Sequence, residues 1–106
     1  MKEITVSELK QKIDNNESFT FLDVRDSFEA NISNIDIESV QIPLDNLKEQ
    51  VEKLDQQSEI VVMCRSGSRS ETACELLEEA GFANVANLKG GINEWARKID
   101  PNLPVY

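Results

Sequence analysis

The chain contains no histidine. That removes the side chain most often used as a general base, the Ser–His and Cys–His pairs of nucleophilic catalysis, and every imidazole-based metal site. It has only two cysteines, Cys64 and Cys74, in 106 residues, so a disulfide-stapled secreted scaffold is excluded by count. Two separated cysteines without histidine also make no recognisable zinc or iron–sulfur set, and neither a metal nor another cofactor is expected. Basic residues are scarce, 11 Lys and Arg against 20 Asp and Glu for a formal net charge of -9. Nucleic acid and anionic membrane surfaces are therefore poor general partners. Long apolar stretches are missing too. The longest, Ile60 to Cys64, is far too short to span a membrane, and Met1-Lys2-Glu3-Ile4-Thr5 has no signal-peptide core. Four glycines and three prolines are too few for a fibrous or low-complexity chain. The expectation is a cytoplasmic protein of one domain, residues 1–106, whose thiols stay reduced.

What is present is an alternation of helical and extended patterns from end to end, the mark of an α/β domain. Thr5 and Glu8 have capping-box spacing, and Val6, Leu9 and Ile13 mark one face of a helix ended by Asn15-Asn16. Phe19 to Val24 reads as a buried strand. Asp26 and Glu29 repeat the cap spacing, with Phe28 and Ile32 as a short helical stripe. Residues 33–39 are polar and give no pattern. Val40-Gln41-Ile42 is a short strand whose following Pro43 suits a sheet edge. Leu44, Leu47, Val51 and Leu54 follow at helical spacing. Ile60-Val61-Val62-Met63 is the most apolar strand, as expected of a central parallel strand covered on both faces. Ala73, Leu76, Leu77 and Ala80 mark a helix closed by Gly81. Val85, Ala86 and Leu88 form a last strand. Gly90-Gly91 leads into a helix with Ile92, Trp95 and Ala96, stopped at Asp100-Pro101.

The segment after Met63 carries the chemistry. Cys64-Arg65-Ser66-Gly67-Ser68-Arg69-Ser70 puts a thiol at the C-terminal end of a buried strand and opens a helix a few residues later. Ligands of open α/β sheets bind along that edge. The amides of Arg65 through Arg69 are expected to converge above the sulfur as an anion-binding array, aided by the helix N-terminus. Gly67 supplies the backbone freedom of the tight turn. Peptide N–H groups and nearby guanidinium groups favour the thiolate, which is the nucleophilic form. No base is then needed, and the chain has no histidine to supply one. Of the four arginines, two fall in this loop, a local attraction for an anion on an acidic protein. A buried strand-end cysteine alone is most often a small core residue; that explains Cys64 but not the Arg, Ser and Gly after it.

Cys64-Arg65-Ser66-Gly67-Ser68-Arg69 resembles the active-site loop of rhodanese-like sulfurtransferases, which reads Cys-Arg-x-Gly-x-Arg in many members. Leu22-Asp23-Val24-Arg25 resembles the family's strand-ending Asp-Val-Arg, and Ile42-Pro43-Leu44 its Ile-Pro-Leu. Gly81-Phe82, Val85, Leu88, Gly90-Gly91 and Trp95 are similar to its closing pattern. The likeness runs from about residue 3 to residue 97. Many members carry Gly-His-Ile where this chain has Ser33-Asn34-Ile35, followed by a slightly longer spacer at 36–41. The resemblance implies a three-layer domain with a mainly parallel sheet of about five strands and helices on both faces. It also implies a sulfur relay. Cys64 would take the outer sulfur of an anionic donor such as thiosulfate as a persulfide and pass it to a thiol, cyanide or protein acceptor. Arg65 and Arg69 would orient the donor, the loop amides would stabilise charge on sulfur, and Ser66, Ser68 and Ser70 would offer hydroxyl donors.

Two other readings compete. Cysteine-dependent phosphatases and arsenate reductases also seat a thiol under amides, but with five residues between Cys and Arg. Here four intervene and position 70 is Ser, which makes a smaller cradle. An inert binding module would typically lack the cysteine. Elsewhere the expectations are structural. Cys74 packs on its helix, Asp23 and Arg25 pin a strand end with Glu29 as a further partner, and Trp95 anchors the core. Glu71, Glu75, Glu78 and Glu79 form a solvated face.

Overall fold

The computed structural model describes all 106 residues. The chain opens with a three-residue strand, Lys2–Ile4 (β1), and enters the helix Val6–Asp14 (α1). The capping box forms as the spacing predicts: Glu8 N–H donates to Thr5 Oγ1 at 3.1 Å and Thr5 N–H to Glu8 Oε1 at 2.9 Å. Thr20–Asp23 (β2) is followed by a 3-10 turn over Ser27–Asn31, and the short strand Val40–Gln41 (β3) by the helix Leu44–Leu47 (α2). A second 3-10 turn, Val51–Lys53, leads to Ile60–Met63 (β4). The long helix Ser68–Glu79 (α3), the strand Val85–Leu88 (β5) and the helix Gly91–Lys98 (α4) complete the chain. Gly81 ends α3 as expected. It donates to Glu78 O at 3.1 Å, and Phe82 N–H reaches back to Leu77 O at 3.0 Å, the paired bonds that close a helix through a left-handed residue.

All five strands are parallel, in the order β1-β5-β4-β2-β3. The pleat sorts their side chains between two cores. Leu22, Ile60, Val62 and Val85 pack with Leu47, Ala73, Cys74 and Leu77 on the side of α2 and α3. Phe21, Val61, Met63, Ala86 and Leu88 pack with Val6, Leu9, Ile92 and Trp95 on the side of α1 and α4. This is the expected helix–sheet–helix sandwich. β4 is buried at every residue, which is why its sequence is uniformly apolar. No helix is long and apolar enough to cross a membrane.

Three local expectations are corrected. Phe28 and Ile32 do not face a core; they are 63% and 41% exposed, because the turn buries Glu29 between them instead. The stripe Leu44–Leu54 is apolar as read, but its helix stops at Leu47 and resumes only as the 3-10 turn. Residues 33–39 are irregular yet contribute Ile35 to the core at 2% exposure.

The strand order positions the site. From β2 the chain moves outward to β3, returns to β4, and then moves the other way to β5. The switch point lies between β2 and β4, so the loops leaving their C-terminal ends are neighbours, the position at which open α/β sheets generally bind ligands.

Candidate active site

Cys64 is the first residue past β4. The pleat turns it to the same side as Ile60 and Val62, where it joins that core at 1% exposure. The chain then curls around its own sulfur. Gly67 takes φ +108° and its N–H donates to Cys64 Sγ at 3.1 Å; Ser70 N–H donates at 3.3 Å, with Ser70 Oγ also 3.3 Å from the sulfur. Of the five amides expected to converge, only Gly67 reaches the sulfur, and Ser70, in the first turn of α3, is the second donor. The amides of Arg65, Ser66, Ser68 and Arg69 make no hydrogen bond within the chain. Four N–H groups without a partner, at and just before the N-terminus of α3, are donors of the kind an anion can satisfy.

Neighbouring elements hold this loop. Asn87, buried in β5, donates through Nδ2 to Gly67 O at 3.1 Å, and its Oδ1 accepts from Ser70 Oγ. The single hydroxyl proton of Ser70 thus faces two acceptors, the sulfur and Asn87. The first amides of α4 reach the loop carbonyls, Ile92 N–H to Cys64 O at 2.9 Å and Asn93 N–H to Arg65 O at 3.1 Å. They do so because β5 lies beside β4, which makes the two post-strand segments adjacent. Gly91 stands at this contact with φ +61°; a Cβ there would lie 2.5 Å from Cys64 O and from both Arg65 C and Arg65 O.

A chain of charges flanks the loop. Arg25, fully buried, pairs with Asp23 through Nη2–Oδ2 at 2.9 Å and Nε–Oδ1 at 3.0 Å. Its Nη1 also donates to Glu29 O, Ser33 O and the Tyr106 hydroxyl. Asp23 and Arg25 thus pin the strand end as expected, but the Glu29 carboxylate goes elsewhere. It grips Arg69 in a bidentate pair, Oε2 to Nη1 at 2.7 Å and Oε1 to Nη2 at 2.9 Å, and accepts from Tyr106 OH at 2.8 Å and Asp26 N–H at 2.9 Å. The Arg69 pair holds the Glu29 carboxyl down at about 2 against the opposing effect of burial, with Tyr106 and Asp26 assisting. Arg69 therefore ties the β4–α3 loop to the β2–β3 connection. Arg65 is exposed and makes no ion pair; its guanidinium lies 5.2 Å from the Tyr106 ring centroid. Cys74, fully buried in α3, has its thiol pushed up to about 12 chiefly by burial, which suits packing and not nucleophilic attack.

Sequence reasoning singled out Cys64 and its loop but not Asn87, Gly91 or Tyr106, and it placed Glu29 with Arg25, which meets only its backbone oxygen while the carboxylate pairs with Arg69. Asn87 left one signal, a polar residue inside an otherwise apolar strand. Tyr106 left none.

Comparison with known proteins bears on the family and the fold. The family model described as Rhodanese-like domain matches residues 5–98. YtwF of Bacillus subtilis, provisionally assigned as a sulfurtransferase, is 38% identical over 95% of this chain and 96% of its own length. An adenylyltransferase and sulfurtransferase of Zea mays is 38% identical over 97% of this chain, which spans only 23% of that protein. The crystal structure of a rhodanese-related protein from Thermoplasma volcanium superposes with a TM-score of 0.82 at 32% identity, covering 100% of this chain and 98% of that one.

Proposed function

The chain belongs to the rhodanese-like domain family, and on that footing we propose that it is a sulfurtransferase working through Cys64, as one domain over residues 1–106. The observation that carries this reading is the pair of backbone donors on a lone sulfur, Gly67 N–H and Ser70 N–H at 3.1 and 3.3 Å, in a chain without histidine. Such donors stabilise negative charge on sulfur both before and after it receives a second sulfur atom.

The Cys64 thiolate attacks the outer sulfur of a thiosulfate-like donor. A Cys64 S–S bond forms, the donor's own S–S bond breaks, and sulfite leaves with its electron pair. A thiolate, cyanide or a protein acceptor then attacks the terminal sulfur, and Cys64 leaves as thiolate. The sequence is ping-pong, and each half-reaction balances without an added oxidant or reductant. Cys64 is almost closed to solvent, so the donor must reach it with a terminal atom, as thiosulfate does. Arg65 and the free amides of Arg65, Ser66, Ser68 and Arg69 attract the anionic end, with the Ser66 and Ser68 hydroxyls beside them. Gly67 shapes the turn, Ser70 contacts the sulfur, and Arg69 holds the loop through Glu29.

Intact-protein mass spectrometry after exposure to thiosulfate tests this. The expected result is a gain of one sulfur that maps to Cys64, is discharged by cyanide, and is absent in Cys64→Ala, whose circular dichroism stays native. Sulfur gain in Cys64→Ala, or aryl phosphate turnover with no sulfur loading, would overturn the assignment.

A further inference from the structure

We propose that Tyr106 is a positioning residue that sets donor handling by holding Arg65 beside Cys64; this rests on the sulfurtransferase reading above. Tyr106 lies beyond residues 5–98, the stretch the family model matches. Three independent contacts fix it. Its backbone is clamped by the Asn93 side chain, N–H to Oδ1 and O from Nδ2, both at 3.2 Å. Its hydroxyl donates to Glu29 Oε1 at 2.8 Å and accepts from Arg25 Nη1 at 3.0 Å. Its ring, oriented by those bonds, carries the Arg65 guanidinium at 5.2 Å from its centroid.

Arg65 has no carboxylate partner, whereas both terminal nitrogens of Arg69 are committed to Glu29. Of the two loop arginines, Arg65 is therefore the one left for an incoming anion, and its guanidinium rests on the Tyr106 ring. An exposed arginine samples many rotamers. One stacked on a fixed aromatic face keeps its charge in place, while its N–H edge remains free to bind an anion. The phenol hydroxyl also bonds the carboxylate that grips Arg69. One side chain thus touches the supports of both loop arginines.

The test compares Tyr106→Leu with Tyr106→Phe, alone and in an Arg65→Ala background. Two readouts are used: steady-state kinetics with thiosulfate, and the ratio of Cys64 alkylation rates by anionic iodoacetate and neutral iodoacetamide. Tyr106→Leu is expected to raise KM for thiosulfate about three- to tenfold with a smaller change in kcat, and to lower the iodoacetate-to-iodoacetamide ratio by a similar factor. Tyr106→Phe keeps the ring and the Asn93 clamp, and should recover most of both effects. With Arg65→Ala, Tyr106→Leu should change the ratio no further. An unchanged KM and ratio in Tyr106→Leu, equal losses in the Leu and Phe variants, or a full Tyr106→Leu effect without Arg65 would each overturn the inference. The alkylation ratio needs no sulfur transfer. If the wild type fails to load sulfur while the ratio behaves as expected, the activity assignment fails and the role of Tyr106 in holding Arg65 stands.

Discussion

Replacing Gly91 with alanine should damage the site more than any loop contact visible in the sequence suggests. Gly91 is not in the cysteine loop; it opens α4, after β5. Its φ of +61° costs a non-glycine residue roughly 1–2 kcal/mol. The new Cβ would also sit 2.5 Å from Cys64 O, Arg65 C and Arg65 O. Ordinary contact is about 3.5 Å, so one backbone must retreat by roughly 1 Å. Both neighbours are main chain and have no rotamer to swing away. The retreat loosens Ile92 N–H to Cys64 O and Asn93 N–H to Arg65 O, each contributing about 0.5–1.5 kcal/mol. The sum is a destabilisation of about 2–5 kcal/mol, within what a domain of this size survives.

Gly81→Ala is the control. It shares a positive φ, +98°, but its Cβ would meet only Gln56 Nε2, at 3.6 Å, so it should lose about 1–2 kcal/mol and nothing from the site. Urea unfolding gives both losses, and single-turnover sulfur loading of Cys64 gives the functional one. A 1 Å displacement of the loop should slow loading by up to about 100-fold in Gly91→Ala. If Gly91→Ala matches Gly81→Ala in stability and loads sulfur at the wild-type rate, the buttressing role of α4 is wrong.

Asn87→Ala removes the donor to Gly67 O and the acceptor for Ser70 Oγ at once; a loss of about 1–3 kcal/mol in urea unfolding is expected, with slower sulfur loading and no change in the alkylation of Cys74 after denaturation. Glu29→Gln breaks the grip on Arg69 and should destabilise the protein at neutral pH. The folded-state value of Glu29, about 2, lies below its ordinary 4.5, so its contribution is full above pH 4.5 and fades as pH falls toward 2. The gap in urea midpoint between wild type and Glu29→Gln should therefore narrow across that window; a gap that stays constant from pH 7 to pH 2.5 refutes the pairing.

Local rules made much of the architecture legible. Thr5 and Glu8 announce a cap whose two bonds lie within a span of four residues. Ile60–Met63 announces a strand buried on both faces, because only such a strand can be apolar at every position. Gly81 announces a helix end because few other residues adopt its backbone geometry. The misreadings share a cause: they depend on contacts between distant segments. Lys2-Glu3-Ile4 is too short and too polar to read as a strand until β5 supplies its partner. Phe28 and Ile32 carry a helical spacing, but the Glu29–Arg69 pair, 40 positions apart in sequence, rotates the carboxylate inward and the apolar pair outward. Asn87, Gly91 and Tyr106 serve a loop that each meets only because β5 lies beside β4 and the last residues fold back over the switch point.

The charge arrangement explains how an acidic chain can attract an anion at one spot. Asp23, Arg25, Glu29 and Arg69 lie in one hydrogen-bonded chain, and their formal charges cancel. Two buried or half-buried arginines thus contribute structure but little net field. What remains without an ion pair near the loop is Arg65, the unpaired loop amides and Lys89, which shares a groove with Ser66 and Ser68, in a chain whose net charge is -9. At a Debye length of about 8 Å the distant carboxylates are largely screened, whereas Arg65 and the amides act at contact range. On the proposed reading, anion capture would be a short-range property of the loop. On that reading the site extends beyond the cysteine: the contacts that fix the loop from β5, α4, the β2–β3 connection and Tyr106 are where its reactivity would be tuned.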